Sequence, residues 1–164
     1  MENVAHFLQI KANSCTPGSR ELDSFGRSAF NRYYYATYLK VRSMLSLLNT
    51  EWARTPHASI PLLLSGQILA QIRKIRNRAL RVDDTEAVNL CQRTQASIHE
   101  LANLIREAYA VRVTVDYNPD IPIVVASNGR FQLSLVPVTT AHDWPTRAEI
   151  LGGTIVRAWK ISSD

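Results

Sequence analysis

Residues 30–48 read F-N-R-Y-Y-Y-A-T-Y-L-K-V-R-S-M-L-S-L-L, and within them Phe30, Tyr34, Thr37, Val41, Met44 and Leu48 recur at alternating steps of four and three. That spacing lays one apolar stripe along one side of an α-helix, because residues three and four apart share a face. With Asp23 or Ser24 as its cap and Asn49 at its end, the pattern predicts a single long helix. Two further stripes repeat the signal: Leu64, Ile68, Ile72, Ile75 and Ala79, then Leu90, Thr94, Ile98, Leu101, Ile105 and Ala108. Pro56 and Pro61 part the first stripe from the second. Asp83-Asp84-Thr85 supplies an N-cap and negative charge where the third begins. Residues 2–12, with Val4, Phe7, Leu8 and Ile10, add a short leading helix before the break Thr16-Pro17-Gly18-Ser19. The expectation is an antiparallel helical bundle.

Beyond Tyr109 the period changes from helical to two. Val111, Val113, Val115 and Tyr117 alternate with Arg112, Thr114 and Asp116, which predicts a half-buried strand. Ile123 to Ala126 and Phe131 to Val136 flank Ser127-Asn128-Gly129-Arg130, and Asn-Gly is a strong hairpin signal. Gly152-Gly153 precedes a last expected strand, Thr154 to Ile161, and 137–151 reads as a loop over one face. A sheet this small is expected to pack on the helices or on another chain. The fold class is therefore α+β, with a helical bundle over 1–110 and a small antiparallel sheet over 111–164.

The chain has 164 residues, 46% of them hydrophobic, which suits one globular domain with an appendage. Its longest apolar run is a few residues, and no basic start with a greasy stretch follows Met1-Glu2, so the expected setting is cytoplasmic, with no membrane contact. Cys15 and Cys91 lie far apart, without a second Cys or His at metal-ligand spacing, so neither metal nor other cofactor is expected. The net charge of +5 is unevenly placed. Residues 1–110 hold fourteen Lys/Arg against nine Asp/Glu, whereas 111–164 hold five of each. A basic excess of this size fits three readings equally: steering of a polyanion, a surface meeting an acidic partner, and a well-solvated protein surface.

Much of that excess lies in residues 73–81, R-K-I-R-N-R-A-L-R, where five of nine positions are basic. At about 100° per residue Arg76 leans toward the apolar stripe, while Arg73, Lys74, Arg78 and Arg81 turn outward. For Arg76 two readings stand, an ion pair with Asp83 or Glu100 on one hand and a phosphate on the other. The outward four fit either a solvated helix face or a surface that binds RNA or an acidic protein. Tyr33, Tyr34, Tyr35 and Tyr38 read as core and dimer-interface residues rather than as base-stacking platforms.

The segment Asn31-Arg32-Tyr33-Tyr34-Tyr35-Ala36-Thr37-Tyr38, running on through Arg42 to Met44-Leu45, resembles the first long helix of HEPN-domain proteins. Ile72-Arg73-Lys74-Ile75-Arg76-Asn77-Arg78-Ala79 is similar to that family's second signature, an Arg often followed by Asn near a helix end. The resemblance covers roughly residues 20–108 and implies a four- or five-helix bundle, commonly dimeric. It also implies a place in bacterial toxin–antitoxin or anti-phage defence systems.

Ribonuclease members of that family place a His four to six residues beyond the Arg, with the active site formed across a dimer. Here positions 81, 82 and 83 are Arg, Val and Asp. Arginine stabilises anionic charge but does not act as a general base near neutral pH, and acid–base help contributes about two to four orders of magnitude in rate. The resemblance therefore implies a noncatalytic HEPN-like subunit that binds a protein partner, either a second copy or a defence effector, with RNA as a further ligand. Two alternatives accompany it: a divergent metal-independent ribonuclease built on Arg76, Asn77 and Arg81, and a nucleic-acid-binding module. For the ribonuclease, His57 and His99 are the histidines that folding can bring toward Arg76, whereas His6 and His142 have no motif around them. The exposed edge of Thr154 to Ile161 is the expected second docking surface, by strand pairing.

Overall fold

The leading helix, α1 (Glu2–Asn13), ends before Pro17-Gly18, where Gly18 takes a left-handed φ of 77°. The long helix α2 (Arg20–Leu48) starts ahead of the expected Asp23 or Ser24 cap, because Ser19 Oγ accepts a hydrogen bond from Leu22 N at 3.1 Å. This computed structural model describes residues 1–161. Two 3-10 turns, Thr50–Arg54 and His57–Ser59, lead into α3 (Ile60–Leu63), a π-helical turn Leu64–Ile68 and α4 (Leu69–Arg81). Asp83, at a left-handed φ of 55°, ends α4, and Asp84 N reaches back to Ala79 O at 3.0 Å. Asp84 Oδ1 then accepts from Ala87 N at 3.0 Å and caps α5 (Thr85–Tyr117), as the acidic run predicts. The three apolar stripes are buried, with Leu90 alone among their members only half covered.

The helices are followed by a small antiparallel sheet, so the α+β class stands, but the sheet is shorter than expected. Its order is β1 (Val124–Val125), β2 (Phe131–Leu133), β3 (Val136–Pro137). Val125 pairs with Phe131 across the predicted Asn128-Gly129 turn, where Gly129 has φ 76°. The stretch expected as one strand from Phe131 to Val136 folds back on itself, since Leu133 pairs with Val136. Ser134 and Leu135 make that two-residue turn with φ of 47° and 68°. Left-handed geometry in L-residues costs about 1–2 kcal/mol each, which is why a sequence lacking Gly or Asn there did not announce a turn. Phe131 and Leu133 are buried, and the Phe131 ring meets Phe30 of α2 edge-on at 5.9 Å, so the sheet packs on helix as its size requires.

Two expected strands are helix. Val111 to Tyr117 forms the last turns of α5. Each β-branched residue there disfavours helix by only about 0.5 kcal/mol, and extending a helix already nucleated adds a hydrogen bond per residue. Arg112 Nε lies 2.9 Å from Asp116 Oδ2 one turn on, an ion pair without hydrogen-bond alignment, and Arg27 Nη1 donates to Val115 O at 3.0 Å. The second correction is α6 (Val138–Lys160), which replaces both the expected 137–151 loop and the expected Thr154–Ile161 strand. Pro145 and Gly152-Gly153 read as breakers, yet Val138, Ala141, Trp144, Ala148, Leu151, Ile155 and Ala158 form one buried stripe at steps of three and four. Burying such side chains contributes about 1.5–3 kcal/mol for each large one, which outweighs the roughly 3 kcal/mol of an internal proline. Residues 154–160 lie in α6 and so offer no strand edge for a partner strand to pair with.

The expected boundary between residues 110 and 111 falls inside α5. Two compact units instead draw on both halves of the chain: Met1–Tyr38 with Glu107–Thr146, and Leu39–Arg106 with the segment from Arg147 onward. The first contains the sheet, α1 and the Tyr33, Tyr34 and Trp144 core. The second contains α4, and in it Trp52 meets Trp159 edge-on at 5.6 Å. Among the described residues no helix is long and apolar enough to cross a membrane.

Candidate functional site

Helix α4 buries Leu69, Ile72, Ile75 and Ala79 and turns the opposite face to solvent. Arg73, Lys74, Asn77, Arg78 and Arg81 are all exposed on that face, as the sequence predicts, and α4 contains no carboxylate. None of the four outward cations joins a hydrogen bond or ion pair among the described residues. Arg78 and Arg81 favour the negative end of the helix dipole, but like charges one turn apart, such as Lys74 and Arg78, disfavour it by a few tenths of a kcal/mol. The helix therefore gains little from this charge for its own stability. Beside it, Arg78 and Asp84 border a cavity of about 250 Å³ with apolar walls from Ile75, Ala79, Val82, Ala87 and Ile161.

Arg76 leans inward, as its place on the helix requires, but its expected ion pair does not form. Glu100 Oε1 is taken by Arg147 Nη2 at 2.8 Å, and Asp83 holds the left-handed position that ends α4. Arg76 Nε is buried without a hydrogen-bond partner among the described residues. Its charge instead faces Cys91: burial pushes that thiol above its ordinary range, Arg76 partly offsets the rise, and Asp84 adds to it. Asn77 and Arg81 point about 100° and 140° away from Arg76 around the helix, so the three residues of the ribonuclease reading spread apart rather than converge. His99 is exposed on α5, and His57 is half-buried at the start of a 3-10 turn.

The tyrosine-rich signature on α2 is structural. Tyr33 and Tyr34 are fully buried, Tyr35 and Tyr38 pack on Tyr34, and the Asn31 amide donates to Asp116 Oδ1 at 2.9 Å. Tyr33 also organises a cluster that the sequence did not foretell. Its hydroxyl donates to Gln9 Oε1 at 2.5 Å and lies 2.8 Å from His142 Nδ1, and the His142 ring meets His6 edge-on at 5.4 Å. With the hydroxyl proton committed to Gln9, the arrangement assigns the His142 proton to Nδ1. Burial raises the Tyr33 hydroxyl to about 12, with the carboxylates of Glu2 and Asp143 adding to the rise. These groups come from α1, α2 and α6, more than a hundred residues apart at the extremes, and no local motif marks them.

Arg27 completes the first unit. Its guanidinium donates to Asp23 Oδ2 at 2.8 Å, to Val115 O at 3.0 Å, to Asn118 O at 3.3 Å and to Pro119 O at 3.1 Å, and makes a short contact to Ile121 O. Asp23 Oδ1 accepts from Ile123 N at 3.0 Å, so one pair on α2 straps the end of α5 and the turn leading to the sheet. Comparison of the chain with family models, with curated proteins and with solved structures returns no match.

Proposed function

We propose that this chain is a noncatalytic HEPN-like subunit of a bacterial defence or toxin–antitoxin type complex. It binds a protein partner through its helices and presents the outward face of α4 to an anionic surface, either on that partner or on RNA. The observation that carries the reading is the set of four exposed cations, unpaired among the described residues, on an α4 face without a carboxylate. Such a face contributes little to folding and suits counterion-releasing contacts with a polyanion. The divergence of Arg76, Asn77 and Arg81 around α4 supports the noncatalytic side of the proposal, because a phosphodiester-cleaving centre needs its groups on one reacting atom.

Two measurements test it. Expression in a bacterial host is expected to leave cellular RNA intact, and loss of RNA that Arg76→Ala abolishes overturns the noncatalytic reading in favour of the divergent ribonuclease. For the α4 face, fluorescence anisotropy with a single-stranded RNA probe is expected to show affinity falling with salt. Replacing Arg73, Lys74, Arg78 and Arg81 together by Ala should flatten the log–log salt slope by about 3. An unchanged slope, or binding indifferent to salt in the wild type, removes RNA from the proposal. The acidic-partner arm then stands or falls on whether the same variant loses a stable complex with the product of a neighbouring gene.

A further inference from the structure

A second cationic feature lies away from the α4 face, in the groove between α5 and α6 within the second unit. Its walls are Glu86, Leu90, Arg93 and Ser97 on α5 and Thr154 and Arg157 on α6, around a cavity of about 500 Å³. Glu86, Leu90, Arg93 and Ser97 follow steps of four, three and four, so they line one side of α5 along the groove. Two arginines therefore face one cavity from two helices.

Their present commitments leave both guanidinium groups available. Arg157 Nη2 donates to Thr154 Oγ1 at 3.2 Å, and that hydroxyl in turn donates to Ile150 O at 3.2 Å. Arg157 is thereby steadied by a neutral group, and no carboxylate pairs with it among the described residues. The Arg93 side chain has no partner there either, while its backbone carbonyl accepts from Ser97 Oγ at 3.2 Å. The one carboxylate of the lining, Glu86, sits in the first turn of α5, where the helix dipole favours it without a cation. Half-buried Leu90 gives the floor an apolar patch.

We propose that this groove is a phosphate-binding site: Arg93 and Arg157 clamp one phosphate group from opposite walls, and Leu90 supports the uncharged remainder of the ligand. Guanidinium groups match phosphate oxygens with two-pronged hydrogen bonds, and a pair contributed by two helices holds the anion in a defined place. The volume suits a nucleotide-sized group rather than a bare ion. The same chemistry is offered by a mononucleotide and by a phosphate in an RNA chain. The site uses none of the α4 residues and does not rest on the proposed role of that face.

The test uses the full chain and three probes: inorganic phosphate, adenosine 5′-monophosphate and a labelled single-stranded RNA. Titration calorimetry serves the first two and anisotropy the third. Arg93→Gln and Arg157→Gln are each expected to weaken binding about tenfold, and Glu86→Gln to tighten it about threefold. Arg20→Ala, which removes an exposed cation at the start of α2 outside both faces, should leave mononucleotide affinity unchanged. Weakening seen with the mononucleotide identifies a small phosphorylated ligand, and weakening seen with RNA alone identifies a chain phosphate. Either result supports the site. Arg157→Lys, which keeps charge and loses the two-pronged geometry, should fall between wild type and Arg157→Gln. The proposal is overturned if the wild type binds no probe at millimolar concentration, or if the Arg93→Gln, Arg157→Gln double variant, with an unchanged circular dichroism spectrum, keeps wild-type affinity for all three.

Discussion

Replacing Arg27 by Met removes the strap between α2 and the end of α5 while keeping most of the side-chain volume. The Arg27 side chain is 13% exposed and Asp23 38%, so the bonds of Arg27 to Asp23 and to Val115 O are partly shielded from water. The bond to Val115 O satisfies one of the carbonyls that a helix end leaves open, and a shielded charged donor contributes about 1.5–2 kcal/mol. The contacts of Nη2 to Asn118 O, Pro119 O and Ile121 O share one nitrogen and lie near solvent, so together they contribute about 1 kcal/mol. The Asp23 pair, one turn away on the same helix, adds about 0.5 kcal/mol. A loss of about 3 kcal/mol follows, or roughly a 10 °C drop in melting temperature for a chain of this length. The assay is thermal melting followed by circular dichroism, paired with hydrogen exchange. Exchange in residues 118–125 should quicken before that in α4, because Ile123 N is held by the Asp23 carboxylate that Arg27 orients. Arg27→Lys should recover only part of the loss, since one ammonium does not reach four carbonyls. If Arg27→Met melts within about 2 °C of wild type, water replaces the guanidinium at those carbonyls and the strap argument fails.

Arg76→Met should behave oppositely: because Arg76 Nε is buried without a partner among the described residues, its removal is expected to leave the melting temperature unchanged or raised, and a drop of several degrees would refute that reading. Replacing Ser134-Leu135 by Asn-Gly relieves two left-handed L-residues and should stabilise the chain by about 1–2 kcal/mol in urea titrations, whereas equal or lower stability would mean that the exposed Leu135 contributes a contact worth more than its strain. Tyr33 is raised from 10 to about 12 in the folded state, so its contribution is complete below pH 10 and is lost as pH climbs toward 12. Stability in urea titrations should therefore fall between about pH 10 and 12, and less steeply in Tyr33→Phe; identical pH profiles for the two proteins would place the alkaline loss elsewhere.

The helices of residues 1–108 were legible because their apolar residues repeat at the period of the structure they form. The Asp84 cap and the Asn128-Gly129 turn were legible for a related reason: each is a chemical property of one or two adjacent residues. Val111 to Tyr117 misled because an alternating β-branched run fits a strand, while the adjoining helix and the Arg27 cap, 88 residues away from Val115, decide for helix. Residues 138–160 misled because Pro145 and the Gly152-Gly153 pair interrupt the propensity signal but not the buried stripe from Val138 to Ala158.

The candidate sites divide along the same line. Which way Arg73, Lys74, Arg78 and Arg81 point was determined by the sequence alone, since position around a helix follows from residue number at about 100° per step. Tertiary structure decided that those cations stay unpaired among the described residues, that Glu100 goes to Arg147 rather than Arg76, and that Arg93 and Arg157 line one groove. It likewise gathered His6, Tyr33 and His142 from three helices. Such meetings depend on how helices distant in the chain pack, and that is set by the fit of whole apolar faces rather than by any short run of residues.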